Sequence, residues 1–349
     1  MLREVIYPTG DPGGWSRALP AEESVFGSVG FARVAERHLG YRAHLYVLQN
    51  GNCRIAYPFF CRPIASLPLW DTLSPEFTGP FASGEPTDAV CGAFPTMFST
   101  YAMNQGVVAE FIRLHPWKAL TGALLRNCLQ YSREIVYVDL TLPEDELWRN
   151  SFTHACRKNI QRAQRERVRV FEARTIDHIR EFHRLYIQTM EARSALKEYH
   201  FPLDYFAAIF DELKESARFV LAEYRDRLVA GTLYLHDRDD VYSYLGGALY
   251  EFQHVRPTNA IIYDTILWGK RQGRKRLVLG GGYSPDDGIL RFKASFSPRR
   301  ARFYVYKRVH LPERYAALCE SWSNIHRRDP QASAYFPPYR SSPETGATR

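Results

Sequence analysis

At 349 residues, 45% of them hydrophobic and 24% charged, the chain has the composition of a folded soluble protein with room for one large domain or two of ordinary size. Its net charge of +8, from 46 basic and 38 acidic residues, favours anionic partners such as nucleic acid, nucleotides or phosphorylated metabolites. No stretch approaches the roughly 18 apolar residues of a membrane span, the N-terminus lacks the apolar run of a secretory signal, and six scattered cysteines form neither a zinc spacing nor a disulfide framework. These exclusions point to a cytoplasmic chain with reduced thiols and no stable membrane insertion.

Residues 1–140 read as α+β. A helix over 28–39 is stopped by Gly40, and strands over 41–49 and 53–61 flank Asn50 and Gly51, a hairpin-turn pair. Loop chemistry rich in proline follows over 74–80. A helix over 87–104 leads to a strand over 107–113. His115, Pro116 and Trp117 then predict the start of a further helix reaching 128, ahead of a strand over 135–140.

The second half repeats the order. A basic helix over 153–166 precedes a strand over 168–172, and helices follow over 177–193 and 202–215. Three strands with short turns, over 218–224, 227–236 and 240–249, make an antiparallel meander. A long helix over 258–272 leads to a strand over 276–279, a short helix carrying Lys293, and a strand over 302–309. A last helix over 312–325 is expected to pack back on the first half, ahead of a loose tail. The order of meander, helix and parallel strand is that of the acyl-CoA N-acyltransferase (GNAT) fold. The expected class is therefore α/β (α+β), with two tandem GNAT-like domains facing a central cleft. Their expected bounds are 1–145 and 146–310, with 311–349 as the returning helix and tail.

The richest stretch for chemistry is LGGGYSPDDGILRFKASF, from Leu279 to Phe296. A strand runs into three glycines, which let a ligand approach the main chain. Asp287 stands where a helix N-cap is expected, and the helix after it displays Phe292 and Lys293. Lysine is scarce here, eight residues among the 46 basic ones, so Lys293 is not one more member of a lysine-rich surface. Arg157, Lys158, Arg162 and Arg165 begin a basic run on a helix, with 158, 162 and 165 on one face. Such a stripe suits nucleic-acid phosphates as well as plain solvent. No H-E-x-x-H set, other metal cluster or G-x-S-x-G elbow occurs, so neither a metal site nor an α/β-hydrolase is expected.

Several patches together resemble the Fem-type aminoacyltransferases and their two-domain acetyltransferase-like relatives. They are CRKNIQRA from Cys156, YIQTMEAR from Tyr186, AEYRDRLVAGTL from Ala222, YSYLGGA from Tyr242, and the glycine run through Phe292 and Lys293. SPEFTGP from Ser74 and EFIRLHP from Glu110 add to them in the first half. The resemblance implies amide formation, in which an amino acid carried as an aminoacyl-tRNA ester passes to the amine of a peptide, nucleotide-linked or natural-product acceptor. It implies that Lys293, with Phe292 beside it, steadies the oxyanion of the attacked ester. It places Arg193, Tyr242 and Tyr244 along the acceptor cleft. Tyr283 is a further substrate-binding candidate, Arg113 is a first-domain candidate to hold an acceptor phosphate, and the stripe of Arg157, Lys158, Arg162 and Arg165 suits the phosphates of a tRNA acceptor stem. The long coiled-coil arm of peptidoglycan-building members is missing between 193 and 219. No cofactor is implied beyond aminoacyl-tRNA as co-substrate.

The alternative is an acyl-CoA-dependent N-acyltransferase acting on an amino sugar or small amine. In acetyl-CoA-dependent relatives a glycine-rich loop cradles the pyrophosphate at a helix N-terminus. Here Arg256 to Ile261 keep the position, with a proline that removes one donor. Asn259 and Ile261 stand where small residues are wanted, so hindered approach and an unsuitable coenzyme A cradle are expected. No general base stands out, with Asp286 and Asp287 as the nearest carboxylates.

Overall fold

The structure is a computed structural model that describes residues 2–64, 67–282, 287–333 and 335–341. In chain order it runs β1 (Arg3–Pro8), α1 (Pro12–Ala18), α2 (Val29–Leu39), β2 (Arg42–Asn50), β3 (Cys53–Pro63), β4 (Trp70–Thr78), β5 (Phe81–Ser83), α3 (Asp88–Asn104), β6 (Val107–Leu114) and β7 (Leu129–Asp139). Next come α4 (Glu144–Glu146), α5 (His154–Arg165), β8 (Arg169–Glu172), α6 (Ile176–Ala192), α7 (Leu203–Glu212), β9 (Ala217–Tyr224), β10 (Arg227–His236) and β11 (Asp240–Ala248). The chain finishes with α8 (Pro257–Arg271), β12 (Arg276–Gly280), α9 (Gly288–Ala294), β13 (Arg300–Val309) and α10 (Pro312–His326). No helix among the described residues is long and apolar enough to cross a membrane.

Two compact units share these elements. Unit 1 comprises Met1–Pro20, Phe26–Arg133 and Arg302–Arg349, and unit 2 comprises Ala21–Val25 and Glu134–Ala301. The sequence places the boundaries at 145/146 and 310/311. The observed ones fall earlier because β7 and β13 change units within their own length.

The two units are built alike. In unit 1, β2, β3 and β4 run antiparallel, α3 crosses over, and β6 returns parallel to β4. In unit 2, β9, β10 and β11 run antiparallel, α8 crosses over, and β12 returns parallel to β11. A further antiparallel strand completes each sheet from the other half of the sequence: β13 on β6, and β7 on β12. This is the tandem GNAT architecture.

Strand alternation sorts side chains onto two faces. In unit 2, Val220 and Ala222 of β9 join Ile261, Ile262 and Ile266 of α8 in one core. Phe219 meets Phe182 of α6 on the opposite face, with ring centroids 5.2 Å apart. Gly247 lets α6 lie close on β11, since a Cβ there would fall 2.5 Å from the Thr189 hydroxyl. In unit 1, Tyr57 and Phe59 of β3 pack edge-on against Phe98 of α3, within an aromatic core.

Two local expectations give way to tertiary structure. The segment after His115 does not form the expected helix and makes only two short 3-10 turns, Thr121–Ala123 and Arg126–Cys128. His115 Nδ1 accepts from the amides of Trp117 and Lys118, and the Leu120 amide donates to Pro80 O, which ties the chain to a neighbouring loop. The stretch 74–78, expected as loop, is the end of β4. Its proline is tolerated because Ser74, Pro75 and Glu76 stand together against a single β6 residue, Ile112, in a wide bulge.

Candidate active site

Unit 2 opens where its parallel strands part. β11 and β12 pair only at Asp240–Tyr242 against Arg276–Val278, although β11 continues six residues further, to Ala248. Those six residues are half-exposed, whereas Asp240, Val241 and Tyr242 are buried. A register shift between β10 and β11 leaves Tyr244 as an extra residue between Ser243 and Leu245. Bulges of this kind re-aim side chains and release backbone groups from the ladder.

On the β12 side of the opening, Gly280 adopts φ +79, a left-handed conformation that glycine accepts at no steric cost. A Cβ on Gly280 would lie 3.4 Å from Lys293 Nζ. Lys293 donates from Nζ to Gly281 O at 2.6 Å, so its ammonium stands on the glycine run at the end of β12. The helix that carries it, α9, is fixed at both ends. Asp287 caps it by accepting from the Leu290 amide at 2.5 Å, as its position in the sequence predicts. Phe292 packs on the core with its ring 5.5 Å from that of Phe296. Lys293 therefore sits on a braced element, and Phe292 supplies the brace.

The other predicted site residues divide. Tyr244 is half-buried on β11, its hydroxyl 2.6 Å from that of Tyr205 on α7. Tyr205 was not singled out from the sequence, and its role rests on an α7 side chain reaching a strand 39 residues later. Arg193 is exposed at the C-terminal end of α6, one turn beyond Thr189 and hence near Gly247 at the open end of β11. Tyr242 is instead turned into the core. It is 3% exposed, and its hydroxyl donates to Asp237 Oδ2 at 3.0 Å. Burial, then the Asp237 and Asp240 carboxylates, push its phenol well above the ordinary range. It braces the paired part of β11 rather than lining the opening. Arg113 lies in unit 1. Tyr283 and Asp286 fall outside the described residues.

The basic run also divides. Lys158 and Arg165 are exposed and Arg162 half-buried along α5. Arg157 is committed to structure: its Nη1 donates to the carbonyls of Trp148, Arg149 and Phe152 at 3.0, 3.2 and 2.6 Å. Arg157→Ala should therefore lower stability by about 1–3 kcal/mol, the cost of stranding such acceptors. Denaturant titration reads this, and an unchanged midpoint would contradict the capping role. Farther along, Arg169 forms a bidentate pair with Glu223 and is equally committed.

The first turn of α8 bears on the acyl donor. Arg256 takes φ +59 at the N-cap and offers no side-chain cap, and Pro257 fills the first helical position, where its missing donor costs least. Asn259 and Ile261 are 4% and 0% exposed, turned into the core. The expectation that their side chains hinder a phosphate is therefore corrected, because they face away from the outer surface of the turn. What tells against a cradle here is narrower: one donor is lost to proline, and a non-glycine residue holds a left-handed position.

Residues 150–294 match the family model described as the acetyltransferase (GNAT) domain. Among solved structures, the crystal structure of FemX is similar at 13% identity, covering 90% of this chain and 99% of that one, with a TM-score of 0.69. The chain has the FemX fold. The C-terminal domain of a putative lysylphosphatidylglycerol synthetase from Agrobacterium fabrum is similar at 14% identity, covering 85% of this chain and 91% of that one, with a TM-score of 0.57. A tandem GNAT protein from the clavulanic acid biosynthesis pathway is similar at 8% identity, covering 89% and 99%, with a TM-score of 0.50. No curated protein sequence matches. The GNAT-domain match over residues 150–294 supports an acyltransferase.

Proposed function

We propose that the chain is an aminoacyltransferase that passes an amino acid from aminoacyl-tRNA to the amine of a small peptide, nucleotide-linked or natural-product acceptor in the cytoplasm. The observation that carries this reading is Lys293 Nζ held on Gly281 O where β11 and β12 part. The acceptor amine attacks the ester carbonyl and forms a C–N bond. Negative charge develops on the carbonyl oxygen, and the Lys293 ammonium stabilises it. Collapse breaks the ester C–O bond, and the ribose oxygen leaves with the proton that the amine gives up. Asp287 is engaged as the α9 cap, which makes it a poor candidate for proton acceptor.

Lys158, Arg162 and Arg165 would meet the acceptor-stem phosphates by charge alone. Incubation with labelled aminoacyl-tRNA should give ribonuclease-sensitive transfer to an amine. Replacing the three basic residues with alanine should reduce the slope of log affinity against log salt by about 2–3. Transfer that survives ribonuclease, or an unchanged salt slope, would refute the respective claim. A second reading, acyl-CoA-dependent N-acylation, is favoured by the uncapped first turn of α8, a 15-residue helix with no acidic residue in that turn. Labelled acetyl-CoA in the same assay separates the two.

A further inference from the structure

The wide bulge in β4 presents a carboxyl group that the transferase chemistry of unit 2 does not use. Glu76 is its last residue. Its side chain is half-buried and makes no hydrogen bond or ion pair among the described residues. Arg113, on the β6 residue that pairs with Phe77, is the charged group that bears on it. The two do not pair. Arg113 donates from Nη1 to Ser74 O at 2.5 Å, its amide donates to Ser74 Oγ at 2.5 Å, and its guanidinium lies 5.2 Å from the Phe111 ring centre. Its Nε and Nη2 have no partner among the described residues. Dehydration pushes the Glu76 carboxyl up to about 7, against the pull of Arg113.

Glu76 and Arg113 therefore flank the same bulge without an ion pair between them. The Ser74 brace prevents it by anchoring Arg113 to the backbone of the bulge. Two such groups bracket a ligand that carries the complementary pair. We propose that unit 1 binds a zwitterionic group of the amino-acid class, with Glu76 receiving its ammonium and Arg113 its carboxylate. The reading of unit 2 as a transferase is needed only to call this ligand the acceptor, or a piece of it.

Glycine is the smallest probe with both charges. Isothermal titration of the full-length chain at pH 8 should show saturable millimolar binding of glycine. Methylamine and acetate, each with one charge, should bind at least tenfold more weakly. Glu76→Gln and Arg113→Gln should each weaken glycine tenfold or more. Lowering the pH from 8 to 6 protonates a carboxyl that titrates near 7, so binding should weaken roughly tenfold in the native chain and stay constant in Glu76→Gln. If Glu76→Gln does not fold, Glu76→Asp is read instead, and it must keep the pH dependence. No binding at about 50 mM glycine, equal binding by methylamine or acetate alone, or affinity unaltered in Glu76→Gln would overturn the proposal. Lys293→Met should bind glycine as the native chain does. Glycine binding without any aminoacyl transfer would refute the function proposed for unit 2 and leave this site standing.

Discussion

Lys293→Met should lower kcat by about two to three orders of magnitude, the loss measured when one preorganised oxyanion donor is removed. The Michaelis constant should stay close to native, because the ammonium acts on charge that exists only in the transition state. Methionine keeps the length and apolar stem of lysine, so packing near Gly280 is preserved while the hydrogen bond to Gly281 O is lost. Steady-state kinetics with aminoacyl-tRNA and acceptor, alongside a melting curve, test this. Turnover within threefold of native by a folded variant would remove Lys293 from the chemistry. Lys293→Arg is a useful companion. A planar guanidinium keeps the charge but does not reproduce a compact ammonium seated on one carbonyl, so partial activity is expected.

The second large effect concerns stability. Asp240 is fully buried at the start of β11, and Arg276, at the start of β12, holds it through Nε and Nη2 at 2.5 and 3.0 Å. These two residues are also the first Cα partners of the parallel pair. The ion pair therefore clamps the strands just before they part. Arg276→Met leaves a carboxylate buried without its cation and should cost about 3–5 kcal/mol. Adding Asp240→Asn should return part of that loss, because it removes the stranded charge. Urea titration of both variants reads the difference. A single variant as stable as native, or a double variant less stable than the single one, would contradict the clamp.

The strands and helices of unit 2 were largely legible in the sequence, since its meander alternates cleanly and Asp287 announces α9. The position of Lys293 on a capped helix after the glycines followed from spacing alone. Other features depend on partners that sequence does not reveal. Tyr242 reads as a site tyrosine until Asp237, from the preceding turn, is seen to take its hydroxyl. Arg157 reads as one of a basic stripe until three carbonyls are found on its guanidinium. The β4 bulge is a mismatch in count between two strands, so neither strand shows it by itself. The isolation of Glu76 is subtler still, because it depends on which oxygen Arg113 chooses.

The exchange of β7 and β13 has a consequence for how the chain comes into being. All residues of unit 2 lie at or before Ala301, whereas unit 1 draws on segments from both sides of it. Unit 1 begins first but must wait for Arg302 onward, because β13 is its strand on β6. On the ribosome unit 2 is thus fully synthesised before unit 1 is. A chain ending at residue 301 would leave the β6 edge without its β13 partner, and an open edge of this kind is prone to aggregate. No single cut in the chain yields an intact unit 1.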